Sequence, residues 1–166
     1  YIIAAGLLLF PHEPMAFSVI PQKPTGLLLA LRMISLACGV GVIFLSYRLF
    51  KNLSWLSSDE TLLCTAFIAF LPTFVGVTSS LNNDSLTILL ATLSLFFFFR
   101  DGLHDREAWF SGLAAGLALL TKLTALIILP AIAIWITTRC QKSKRVRIAA
   151  LFLLGWSIGW IALLSV

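Results

Sequence analysis

Hydrophobic residues fall in long uncharged runs separated by short polar or basic breaks. The runs cover 33–47 (extending past Arg32 back to Leu27), 61–83, 85–99, 108–121, 123–138 and 148–166. A helix rises about 1.5 Å per residue, so about 20 residues cross the roughly 30 Å hydrocarbon core of a bilayer. The first, second and last runs are long enough and predict membrane spans over 27–47, 61–81 and 148–166. The third predicts a span over 82–100, with its helix starting near Asn82 and Arg100 snorkelling to the interface. Residues 1–10 are too few to cross and predict the stump of a span or a juxtamembrane helix. Residues 11–26 hold Pro11, Pro14, Pro21 and Pro24, four of the six prolines, together with Gly26, and predict a loop. The expected fold class is all-α, a polytopic transmembrane helix bundle in which 1–166 is part of one transmembrane domain.

Composition supports this pattern. The chain of 166 residues is 60% hydrophobic and 11% charged, where a soluble domain averages about 45 to 50% and about 25%. An ordinary water-soluble globule is excluded. Tyr1 and Val166 both stand inside apolar stretches, with neither an initiator Met nor a basic leader, so the chain reads as a piece of a longer membrane protein. Cys38 and Cys64 lie in apolar runs and Cys140 in a basic loop, which supports neither a disulfide framework nor a zinc site.

The formal charge of +5, from 12 Lys+Arg against 7 Asp+Glu, could point to nucleic acid, anionic lipid or cytoplasmic loops. Its distribution favours the last, with the lipid bilayer rather than nucleic acid as partner. With 27–47 running inward, the loop bearing Arg48 and Lys51 and the loop bearing Arg100 and Arg106 are both cytoplasmic. One continuous helix over 108–138 would be roughly 46 Å long and would put Arg139, Lys142, Lys144, Arg145 and Arg147 outside. Two short helices turning near Lys122 return that loop to the cytoplasm and leave only Lys23 and Arg32 outside. The charge bias therefore favours a short helical hairpin over a long tilted helix. Lys122 is then the one basic residue left within the membrane layer.

Candidate chemistry is sparse. Asp84 sits in the polar knot Leu81-Asn82-Asn83-Asp84-Ser85, at the external ends of two spans. It reads either as a helix cap, where an acid also suits the positive end of the dipole, or as a functional carboxylate. Lys122 reads as a snorkelling side chain or as a ligand for a lipid phosphate, since an ionisable group at membrane depth is costly and by default marks function. Arg32, opening the first full span on the outer side, suits phosphate binding or interfacial anchoring. His12 and Glu13 are adjacent in the proline-rich loop but lack a third metal ligand. Gly112 and Gly116 form a GxxxG suited to close helix packing. Trp109, Trp135, Trp156 and Trp160 suit belt or packing positions.

Several segments, in this order, carry a family resemblance: Leu31-Arg32-Met33-Ile34-Ser35 leading to Tyr47-Arg48-Leu49-Phe50, then Leu71-Pro72 ahead of Asn83-Asp84-Ser85-Leu86, then the run from Gly112 to Lys122 followed by Leu129-Pro130. The chain resembles the C-type membrane glycosyltransferases of the protein mannosyltransferase and aminoarabinose transferase kind, across nearly its whole length. The resemblance implies transfer of a sugar from a polyprenyl- or dolichyl-phosphate carrier to an acceptor hydroxyl on the external face. The lipid-phosphate sugar is then the substrate, with no separate cofactor. It likens 1–10 to the family's juxtamembrane helix and 108–138 to its short paired helices. It also implies that the catalytic acidic residues precede Tyr1, leaving no catalytic residue and no metal site here, so that this piece by itself is inactive. What remains is carrier binding: Asp84 and Asn83 facing the external cavity, with Lys122 and Arg32 as phosphate contacts. A transporter or lipid flippase, which also uses intramembrane charge and broken helices, is the alternative from another class, and a non-catalytic assembly subunit is a third.

Overall fold

A computed structural model of the protein describes residues 26–100, 104–139 and 142–164; the segments 1–10 and 11–25, with His12 and Glu13, lie outside the described residues. The elements are α1 (Gly26–Lys51), α2 (Ser58–Ala69), α3 (Pro72–Ser79), α4 (Asp84–Phe98), α5 (Asp105–Thr121), a 3-10 segment (Leu123–Ile127), α6 (Ile128–Arg139) and α7 (Lys142–Leu164). The fold is all-α, and no strand occurs among the described residues.

Local chemistry fixes the boundaries. Helix α1 has no interior proline, and its last turn carries Arg48 and Lys51, which favour the negative end of the dipole; the Arg48 guanidinium also lies 5.0 Å from the centre of the Phe44 ring. Helix α2 starts in a capping box: the Ser57 N–H donates to Glu60 Oε2 at 2.7 Å, and the Glu60 N–H donates to Ser57 Oγ at 3.3 Å. Where the hydrophobic pattern predicts one span over 61–81, the chain forms two helices bent by 55°. The cause is Pro72, which forces the preceding Leu71 into an extended conformation (φ −65°, ψ 120°) and restarts the helix at its own first position.

Among the described residues one helix, over Leu28–Lys51, is long and apolar enough to cross a bilayer by itself, and α2 with α3 provides a second if the bent pair is one span. Helix α4, with 15 residues, is about 22 Å long and falls short of a full crossing without its flanks.

The interior combines apolar side chains with many small and hydroxyl-bearing ones. Small and hydroxyl-bearing residues point inward, among them Ser35, Thr65, Ser85, Ser94 and Ser111, with Ala108, Ala115 and Ala118. Large apolar side chains such as Val40, Phe44, Leu63, Phe67, Phe70 and Ile134 point outward. Lipid removes the penalty for exposed Leu and Phe, and it makes close backbone approach, rather than burial of bulk, the source of helix association.

That approach is tightest between α5 and α7. A Cβ on Gly112 would collide with the carbonyl oxygen of Phe152, and one on Gly155 with the carbonyl oxygen of Trp109, while also lying 2.8 Å from the Leu113 amide nitrogen. Helices α4 and α5 are joined by a reciprocal clasp: Ser94 Oγ donates to the Ser111 carbonyl and Ser111 Oγ to the Ser94 carbonyl, each at 2.9 Å. Phe98, Ala115, Ala118, Ile128, Ile132, Ile148 and Phe152 form the core, with Trp135 and Trp156 packed against it. The side chain of Trp160 lies outside the described residues.

Ion pairs and rings establish which helix ends meet. Helix α4 descends from Asp84 to Phe98, and α5 climbs back from Asp105 to Thr121. After the break at Lys122 the chain descends again, because Trp135 near the end of α6 packs edge-on against Phe98 with centroids 5.0 Å apart. The start of α7 is at the same lower end, where Arg147 pairs with Asp105 and Arg100 lies 3.5 Å from Glu107.

Gly112→Ala should therefore destabilise the protein by about 1 to 3 kcal/mol, the cost of overpacking a site whose neighbour is backbone that cannot rotate away. Gly76→Ala, where a Cβ would meet open space, should be neutral or slightly stabilising, since Gly is a poor helix residue. Thermal unfolding of both variants in detergent measures the contrast; equal losses would contradict the close crossing.

Candidate functional site

At the upper end of α4 and α5 the polar knot and the helix break meet. Helix α5 stops because Lys122 turns extended (φ −161°, ψ 131°), its N–H donating to the Ala118 carbonyl and its own carbonyl accepting from Ala125. The ammonium thereby projects across the top of α4, where Nζ donates to Asp84 Oδ1 at 2.6 Å. The two side chains are 46% and 32% exposed, so the pair opens to the surroundings and a further ligand can reach it.

The surrounding polar groups hold the two ends in place. The Asp84 N–H donates to Asn82 Oδ1 at 3.1 Å, and Asn82 Nδ2 donates to Ser80 Oγ at 2.7 Å. The local turn is thus stabilised by Asn82, which leaves the Asp84 carboxylate for Lys122. Asn83 occupies the cap position of α4 without a side-chain capping bond; its carbonyl instead accepts from the Thr87 N–H and hydroxyl. One turn below the ion pair, Thr87 Oγ1 and Thr121 Oγ1 are 2.6 Å apart and tie α4 to α5. Ser85, fully buried, donates to the Val77 carbonyl at 3.2 Å and ties α4 to α3.

Of the four residues singled out from the sequence, Asp84 and Lys122 are in contact and Asn83 adjoins them. Arg32 stands exposed on α1 and takes no part in the described hydrogen bonds or ion pairs. Sequence alone couples Asp84 to Lys122 in no way and gives no special weight to Thr87, Thr121 or Asn82. The signal for Thr87 is its i+3 spacing from Asp84, which puts both on one helix face; Thr121 precedes the lysine directly. Among the described residues no group of three or more His, Cys, Asp or Glu is placed to hold a metal ion.

A half-exposed ion pair contributes at most about 1 kcal/mol to stability. A lysine that served only to join α4 to α5 would add little beyond the serine clasp and the threonine contact already there. The pair does offer an ammonium held at a fixed point with two hydrogens not directed at Asp84, which is the geometry of an anion contact.

The family model described as dolichyl-phosphate-mannose-protein mannosyltransferase matches residues 26–164. The chain belongs to this family. Neither a curated protein nor a solved structure gives a match. Membership in the protein mannosyltransferase family carries glycosyl transfer from a dolichyl-phosphate sugar donor to protein, and an integral membrane setting. It favours the enzyme over the transporter and flippase reading, and it accounts for the outward-facing apolar side chains of α1 and α2.

Proposed function

We propose that the chain forms part of a multi-pass glycosyltransferase that moves a sugar from a polyprenyl- or dolichyl-phosphate donor to an acceptor hydroxyl on the external face, and that Lys122 contacts the donor phosphate. The observation that carries the reading is the Lys122–Asp84 pair at one end of α4 and α5, opposite the end that gathers Arg100, Arg147 and their acidic partners. Since basic loops stay cytoplasmic, the pair belongs to the external side. Asn83 and Asp84 line the approach, Asp84 orients the ammonium, and Arg32 is a secondary, interfacial phosphate contact. In transfer, negative charge grows on the departing phosphate, and a fixed cation there stabilises the transition state without reorganising. The acceptor proton requires a base, which the family resemblance assigns to a carboxylate preceding Tyr1.

Orientation is tested by single cysteines at Ser143 and Asn82 in a background lacking Cys38, Cys64 and Cys140. The two should label with a membrane-impermeant reagent from opposite sides; labelling from one side contradicts the topology. The phosphate contact is tested by Lys122→Met, which keeps the aliphatic stem and removes the charge. Loss of charge-assisted hydrogen bonding of about 1.5 to 3 kcal/mol should weaken donor binding or transition-state stabilisation about 10- to 150-fold. Donor Kd and kcat of the full-length enzyme, wild type and variant matched for folded fraction, decide it, and unchanged values would reduce Lys122 to an anchor.

A further inference from the structure

If Lys122 holds the donor phosphate, a carboxylate 2.6 Å from its ammonium is at first sight the wrong neighbour. It neutralises the cation and stands close to another anion. The difficulty resolves when the charges of donor and product are compared. The donor is a phosphodiester with one negative charge. Transfer breaks the bond between the sugar's anomeric carbon and the phosphate oxygen, and the electron pair leaves with the oxygen. The acceptor oxygen bonds to that carbon and its proton passes to a base. The lipid product is a phosphate monoester, which carries about −1.5 to −2 at pH 7 because its second pKa is near 6. An isolated lysine would hold this product more tightly than the donor it must next accept.

We infer that Asp84 sets the discrimination between donor and spent carrier at this site, by repelling the extra charge of a phosphate monoester from Lys122. The inference rests on the phosphate role proposed for Lys122. Its geometric basis is that Asp84 is held in place, by the start of α4 and by the Asn82 contact to its N–H, on one side of an ammonium whose other hydrogens would face the phosphate. A ligand oxygen bonded to Nζ from that side lies roughly 5 Å from the carboxylate, where one unit of charge changes affinity about 4-fold in water-like surroundings and a few hundred-fold at a typical protein-surface dielectric. For a pair as exposed as this one, near the water-like end, the expected discrimination is about tenfold. Asp84 is on this account a specificity-determining residue that limits product inhibition and needs no part in bond breaking.

The test separates charge from every other property of the lipid. Farnesyl phosphate, a monoester, and methyl farnesyl phosphate, a monoanionic diester, are titrated into wild type, Asp84→Asn and Lys122→Met, each checked for folding by thermal denaturation. Asp84→Asn should tighten binding of the monoester about tenfold more than that of the diester, and turnover by the full-length enzyme should become correspondingly more sensitive to added polyprenyl phosphate. Equal change for the two lipids, or none, would overturn the inference while leaving the lysine's role intact, provided Lys122→Met weakens both. If Lys122→Met binds both lipids as wild type does, the phosphate site itself is misplaced and both readings fall. Should Asp84→Asn not fold, Asp84→Ser removes the same charge and is measured in its place, with the same two outcomes.

Discussion

Most of the buried positions of helix α5 are alanine, serine or glycine, and the arrangement of the upper site depends on how closely its backbone can be approached. Gly112 and Gly155 put α5 and α7 in backbone contact, and Ser94 and Ser111 exchange hydrogen bonds across the α4–α5 seam. In a bilayer such contacts replace the burial of bulk as the source of association, because lipid solvates large apolar side chains as well as a protein core does. A few rigid crossings set the positions of both ends of the helices, and with them the position of Lys122 above Asp84. A larger residue at Gly112 would act at the site through that geometry, without touching either charged group.

The same seam carries its polar groups in two different states. Within the layer Ser94 and Ser111 are fully buried and mutually satisfied, as buried hydroxyls must be. At the top, Asp84 and Lys122 are bonded to each other yet half-open. Closed groups of the first kind hold the fold together. An open ion pair adds little stability and keeps hydrogen-bonding capacity for a ligand, the property expected of a site that binds and releases an anionic lipid in each cycle.

Much of this was legible from the chain. The all-α class and membrane setting follow from the length of the uncharged runs, and the GxxxG of Gly112 marked a close crossing. The interruption near Lys122 was anticipated from charge alone, since a continuous helix would carry five cations to the wrong side. The bend before Pro72 had a local cause in plain view, the restriction a proline places on the residue ahead of it, but the uncharged run masked it. The partner of Gly112 was out of reach, because Gly155 lies some forty residues on and nothing local couples them. The Asp84–Lys122 pair is of the same kind, a contact across 38 positions, and reading each residue singly left the pairing unseen although charges at membrane depth tend to be paired. Arg32 differs from both in that residue type and position suggest a phosphate contact, and the structure adds only that it stands exposed near the start of α1.

The proposed site rests on one contact, that between Lys122 and the donor phosphate. A structure of the intact protein with a bound polyprenyl-phosphate sugar tests it without reference to kinetics or stability. The account predicts a phosphate oxygen within about 3 Å of Lys122 Nζ, with Asp84 still beside the ammonium and the isoprenoid chain running into the membrane layer. A phosphate held instead by Arg32, or by the basic residues at the opposite end of α5, with Lys122 bonded to Asp84 alone, would contradict it.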